Sequence, residues 1–227
     1  MCGRTSMVAI GPWVEERFGA KPVHEMVPRY NIAPGDDLPA IENGSPDEIR
    51  FPRWGLVPSW VDDLDDWPAP INARAETVAE KPSFRDAFAE RRCLVLADGF
   101  YEWKGERCSK QPYRVVRPDE EPFAMAGIWE TYEANGDVLE TTAVITTDAN
   151  ETLRPIHDRM PVILDRDEER RWLESDDLAD LQSLLDPVDP DTLRAYPVST
   201  AVNDPSNDDP SVIEEQPDPQ SGLGDFS

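Results

Sequence analysis

Apolar residues along this chain gather in short runs and two-residue alternations, and helical spacing is confined to a few stretches. Residues 93–97, Cys-Leu-Val-Leu-Ala, make an apolar run of strand length. Residues 112–116, 122–129 and 138–147 read as successive β segments, with Asn135-Gly136 the strongest hairpin turn in the chain. A strand beginning at Ile49 is interrupted by Pro52 and runs into an aromatic loop, with Trp54 expected in the core and Trp60 on the loop. Residues 21–34 are Pro-rich and loop-like, and Asn31 before Ile32-Ala33-Pro34 suggests a turn held by a side chain. Helical spacing predicts a helix over 81–92, with Ser83 as N-cap and Phe84, Ala87 and Phe88 on its buried side. One or two turns are expected over 13–18, and one or two amphipathic helices over 165–185. Residues 196–202 read as a last strand. From about residue 203 the chain turns rich in Pro, Asp and Ser; the domain is expected to span 1–207, and 208–227 to be an acidic, disordered tail.

Charge changes the picture more than length does. The 227 residues carry a formal charge of −25, from 47 acidic against 22 basic side chains, and only Lys21, Lys81, Lys104 and Lys110 are lysines. The acids are scattered rather than gathered in a block, as in a surface kept solvated in a salt-rich cytoplasm. Three cysteines with no C-x-x-C pair exclude a disulfide scaffold and point to a reducing interior. With no apolar run of about 18 residues and no basic-then-apolar leader, neither a membrane span nor a secretory signal is expected. Two histidines without H-E-x-x-H spacing offer no plausible metal-ligand set, so no metal or cofactor is expected. His24 reads as structural, and Cys93 and Cys108 as space-filling.

The chemistry concentrates at the second residue. If Met1 is trimmed, as a small second residue permits, Cys2 carries a free α-amine beside its thiol. Such a pair attacks an aldehyde twice: the amine condenses to an imine, and the thiol then adds to the imine carbon and closes a thiazolidine ring. Both groups titrate within reach of neutral pH, and the second step is intramolecular. The same cysteine also suits an N-terminal-nucleophile peptidase, in which the amine serves as base. A non-covalent reader of modified bases is a third reading, in which Cys2 is dispensable.

Other polar groups qualify as companions. The alternation in Ile71-Asn72-Ala73-Arg74-Ala75-Glu76-Thr77 puts an amide, a guanidinium and a carboxylate on one side of an extended segment. Glu102, between Tyr101 and Trp103, is expected to be partly desolvated, with a raised pKa suited to proton transfer. His157 stands just before an Asp-Arg pair at the entrance to the apolar run 162–164.

Five stretches, Cys2-Gly3-Arg4, Tyr30-Asn31-Ile32-Ala33-Pro34, the segment from Ile71 to Thr77, Gly99-Phe100-Tyr101-Glu102-Trp103 and Ile156-His157-Asp158-Arg159-Met160-Pro161, together resemble the SRAP family of abasic-site shielding proteins, also called SOS-response-associated peptidases. The resemblance implies a single β-rich α+β domain with a mainly antiparallel, partly barrel-like sheet and a few peripheral helices. It implies a monomer that binds single-stranded DNA carrying abasic sites near replication-fork proteins, in the cytoplasm on the nucleoid. The opened sugar aldehyde would be trapped as a thiazolidine on Cys2, with self-processing peptidase and lyase-like activities alongside. Asn72 would position the Cys2 amine, Glu102 move protons, and His157 assist sugar ring opening. Arg4, Asn31, Arg74 and Arg159 would contact the strand, and Trp60 would support its splayed bases. Ser59 stands where the family often has a second aromatic. Because 16 of the 22 basic residues precede residue 118, a local basic groove in an acidic shell is expected, with weak reversible DNA binding at high salt.

Overall fold

The computed structural model describes residues 2–105, 110–134 and 136–217. Its first half contains β1 (Thr5–Met7), α1 (Pro12–Phe18), β2 (Lys21–Pro22), β3 (Arg29–Ile32), β4 (Ala40–Glu42), β5 (Ser45–Arg50), β6 (Arg53–Trp54) and β7 (Asn72–Arg74). Then follow α2 (Arg85–Glu90), β8 (Arg92–Ala97), β9 (Gly99–Lys104), β10 (Gln111–Val116), β11 (Phe123–Ala134) and β12 (Asp137–Asp148). The last part holds β13 (Arg159–Pro161), β14 (Ile163–Leu164), α3 (Arg166–Glu174), α4 (Leu178–Ser183) and β15 (Arg194–Pro197). Two mainly antiparallel sheets result. The smaller runs β15-β10-β9-β1-β3; the larger runs β13-β12-β11-β8-β4-β5-β2, with β14 on β11 and with β6 and β7 parallel to β12. The β-rich, mainly antiparallel arrangement with peripheral helices is as expected, and no described pairing joins the two ends of either sheet, so neither closes into a barrel.

The apolar faces explain that packing. Phe100 on β9 meets Phe123 on β11 edge to face, with ring centroids 6.4 Å apart, which ties the small sheet to the large one. Trp54 and Trp172 are completely enclosed, and the Trp172 indole donates to the Cys93 carbonyl at 3.0 Å. Cys93 fills space as expected, against Gly127: a Cβ there would lie 2.9 Å from the Cys93 sulfur. The β11–β12 hairpin pairs Ala134 with Asp137 and turns through Gly136 at φ 90°, a conformation that favours glycine. Asn135 and Cys108 lie outside the described residues.

Three expectations are corrected. The helix over 81–92 shrinks to Arg85–Glu90, Phe84 rather than Ser83 holds the N-cap position, and Arg92 opens a strand. The physical reason is Arg92 itself. Its buried guanidinium donates to the Phe88, Ala89, Trp172 and Ser175 carbonyls, so it closes the C-terminal ends of α2 and α3 together and cannot stay on the helix. The strand over 196–202 ends at Pro197, because the Ser199 hydroxyl accepts from the Ala201 amide and starts a 3-10 turn over Thr200–Asn203. The packed chain also extends past 207. The Asp208 carboxylate accepts from the Tyr30 and Asn31 amides, Val212 is fully buried beside Tyr101 and Val202, and the Gln216 amide donates to Pro197. Residues 208–217 therefore belong to the folded body, while 218–227 lie outside the described residues.

Candidate active site

The chain reaches its second residue through β1. Thr5 pairs with Phe100 and Ser6 with Gly99, and the Tyr101 amide donates to the Arg4 carbonyl at 3.0 Å. Continued past Arg4, the antiparallel register runs Cys2-Gly3 back beside the Glu102-Trp103 stretch of β9. Asp98 secures this start: its carboxylate accepts from the Val8 and Ala9 amides, from the Ser6 hydroxyl and from the Arg114 guanidinium. Gly99 makes room for that guanidinium, since a Cβ there would sit 2.7 Å from Arg114 Nε. Asp98 and Arg114 were not legible as a site pair, because their 16-residue separation carries no pattern and only the β9–β10 pairing brings them together.

The large sheet supplies the opposite wall. β7 lies parallel to β12, with Asn72 opposite Val144 and Arg74 opposite Thr146. From there Asn72 Nδ2 donates to the Cys2 carbonyl oxygen at 2.8 Å, while its buried Oδ1 has no hydrogen-bond partner. The Asn72 amide is thus pinned at one end and offers an acceptor at the other. β13 pairs with the end of β12, and the turn before it delivers His157. His157 Nδ1 lies 3.0 Å from the Arg159 amide nitrogen and 3.0 Å from Asp158 Oδ1. One ring nitrogen cannot accept from the amide and donate to the carboxylate at once, so Nδ1 serves one partner or the other according to whether it carries the hydrogen.

Burial sets the electrostatics. Cys2 is completely enclosed, and burial followed by the negative charge of Glu102 pushes its thiol up to about 12. Glu102 is buried on β9, and loss of water raises its pKa above the usual carboxylate range, an effect that His157 and Lys110 partly offset. Electrostatic coupling of Glu102 to both Cys2 and His157 puts the three in one neighbourhood.

The remaining residues divide sharply. Arg4 and Asn31 lie beneath the surface: Arg4 Nη1 donates to Asn31 Oδ1 and to the Val202 carbonyl, and the Asn31 amide donates to Val202, Asp204 and Asn207. They bind the segment after β15 to β3 and present no open face. Arg74 is exposed and forms no ion pair among the described residues. Arg159 is held by Glu76 and Asp148, at 2.5 and 2.7 Å. Trp60 is 54% exposed and meets Trp67 edge on, with centroids 5.3 Å apart. Trp67 also lines a cleft of about 460 Å³ that reaches Ile71, the residue before Asn72. Residues 1–205 match the family model described as SOS response associated peptidase (SRAP).

The chain belongs to the SRAP family. Relatives bear this out along the whole domain. The Abasic site processing protein YoqW of Bacillus subtilis is 42% identical over 222 residues, covering 94% of this chain and 99% of that one. The Abasic site processing protein HMCES of Xenopus tropicalis is 34% identical, over 82% of this chain and 65% of its own. Among solved structures, a Bacteroides thetaiotaomicron protein superposes with a TM-score of 0.86 at 33% identity, covering 95% of this SRAP chain and all of that chain. The α+β, β-rich architecture expected from the motifs is therefore the family's own.

Proposed function

We propose that this SRAP protein processes abasic sites in single-stranded DNA by linking itself covalently to the opened sugar through Cys2. The observation that carries this is the Asn72–Cys2 bond: a side chain from the large sheet grips the main chain of the second residue, just ahead of β1 of the small sheet. Once Met1 is removed, the Cys2 amine attacks the sugar aldehyde and forms a C–N bond; loss of water gives the imine. The thiol sulfur then adds to the imine carbon, its proton passes to the nitrogen, and the thiazolidine closes. Asn72 Oδ1 accepts from the amine and aims it. Glu102, whose burial raises its pKa, protonates the departing hydroxyl and takes a proton back from the nitrogen as the imine forms. His157 assists opening of the sugar. Arg74 meets a phosphate, and Trp60 supports a base beside the lesion.

A thiol raised to about 12 is a poor nucleophile while the chain is untrimmed. Reactivity begins when the amine is freed, which makes methionine removal the activating step. The peptidase named in the family description would use the same cysteine. Incubation with a glycosylase-treated, uracil-containing oligonucleotide, followed by a denaturing gel, separates the readings. A shifted band is expected for wild type and for neither Cys2→Ala nor Cys2→Ser; an equal band with Cys2→Ala would overturn the proposal.

A further inference from the structure

Arg159 is saturated by its own protein. A guanidinium has five N–H donors. Nη1 donates to Glu76 Oε1 at 2.5 Å and to Asp148 Oδ1 at 2.7 Å; Nη2 donates to Glu76 Oε2 at 3.0 Å and to the Thr146 carbonyl at 2.6 Å. The fifth, on Nε, is buried without a partner. No donor is left on the open side for a phosphate oxygen. The positive charge of Arg159 is itself fully matched by two carboxylates.

The two carboxylates are not equivalent. Glu76 makes two parallel bonds across the fork, the strong geometry for a carboxylate on arginine. Asp148 makes one, its side chain is 80% exposed, and it ends β12 directly opposite Arg159. It is the partner that can swing into water at least cost.

We propose that Asp148 is an internal stand-in for a DNA phosphate: it holds Arg159 Nη1 until a phosphate oxygen of the bound strand replaces it, while Glu76 keeps the guanidinium aligned. This rests on the abasic-DNA reading above and deepens it. Every strand that binds must displace Asp148. An undamaged strand does so with reversible contacts alone, whereas an abasic strand is then retained by the covalent bond. Asp148 thereby favours damaged over undamaged DNA without touching the lesion.

The test measures reversible binding of an undamaged oligonucleotide to wild type, Asp148→Asn, Arg159→Gln and the double variant, across a salt series. Glu151→Gln, which removes an exposed charge three residues away, controls for net charge. Asp148→Asn should bind about tenfold tighter at low salt, the worth of one charge-assisted hydrogen bond. Its salt slope should match that of wild type, because the same phosphate is contacted once Asp148 has left, and should lose about 0.7, one phosphate's share on a single strand, when Arg159 is replaced. The gain in affinity should vanish in the Arg159→Gln background, and Glu151→Gln should show none. Asp148→Ala repeats the measurement should the asparagine variant fold poorly. Equal affinities for wild type and Asp148→Asn, or a gain that survives Arg159→Gln, overturn the inference. Failure of wild type to crosslink abasic DNA overturns the underlying reading instead, so the two failures are distinguishable.

Discussion

Asn72 Nδ2 donates to the carbonyl oxygen of Cys2 across 2.8 Å, joining two residues 70 positions apart and tying the large sheet to the segment that leads into β1 of the small one. An amide in this place holds the second residue by its main chain, and the proposed reaction then uses the cysteine's side chain and amine. Asn72→Asp keeps the shape and removes the donor. It should slow crosslinking to abasic DNA by about 10- to 100-fold, the usual loss when a reacting group is mispositioned. Single-turnover rates read from denaturing gels check this; an unchanged rate would separate Asn72 from the reaction.

Glu42 offers a pH test remote from the nucleophile. Its burial, and then the negative charge of Glu140, push it up to about 7 from an ordinary 4.5, although Arg50 lies 3.7 Å away. The folded protein therefore keeps a proton that the unfolded chain has lost between about pH 4.5 and 7. Stability falls as pH rises through that window and stays lower above it. Glu42→Gln, neutral at every pH, should exceed wild type by on the order of 2 kcal/mol at pH 8 and match it near pH 4. Denaturant midpoints of both proteins across the range would reveal parallel curves if Glu42 were ionised throughout.

Arg92 ties two helix ends with four carbonyl acceptors and no carboxylate. Arg92→Lys keeps the charge, but a single ammonium cannot span α2 and α3, and carbonyls are left buried without donors. A loss of about 2–4 kcal/mol is expected. Urea unfolding measures it, and a cost below about 0.5 kcal/mol would refute the tie.

Truncation after Asn207 removes Asp208 and Val212. The Tyr30 and Asn31 amides then lose their acceptor, and the apolar group around Tyr101 and Val202 is opened to water. A chain ending at 207 should melt at least several degrees below one ending at 217. Equal melting temperatures would return the domain boundary to 207.

Much of the architecture was legible because strands announce themselves locally. The run 93–97 became β8, residues 112–116 became most of β10, and the Gly136 turn joins β11 to β12. Helix 81–92 was overread because Arg92, a good helix former in isolation, gains more from four carbonyls supplied by residues up to 83 positions away. The tail was misread for a similar reason: Pro, Asp and Ser look solvated until Asp208 finds two backbone amides 177 and 178 positions earlier.

The same division holds at the site. The order of residues by itself determined a cysteine at position 2, a carboxylate between aromatics at Glu102, and the alternation of Asn72 and Arg74 along β7, since these depend on covalent neighbours and strand period; Glu76, expected on the same extended segment, lies instead in the turn that follows β7. Only the tertiary structure decided that Arg4 and Asn31 are interior ties, that Arg74 is open, and that Arg159 is already occupied by Glu76 and Asp148. Sequence lists which charges a chain possesses; which of them still face water depends on partners that folding brings from far along the chain, because an ion pair forms by distance in space.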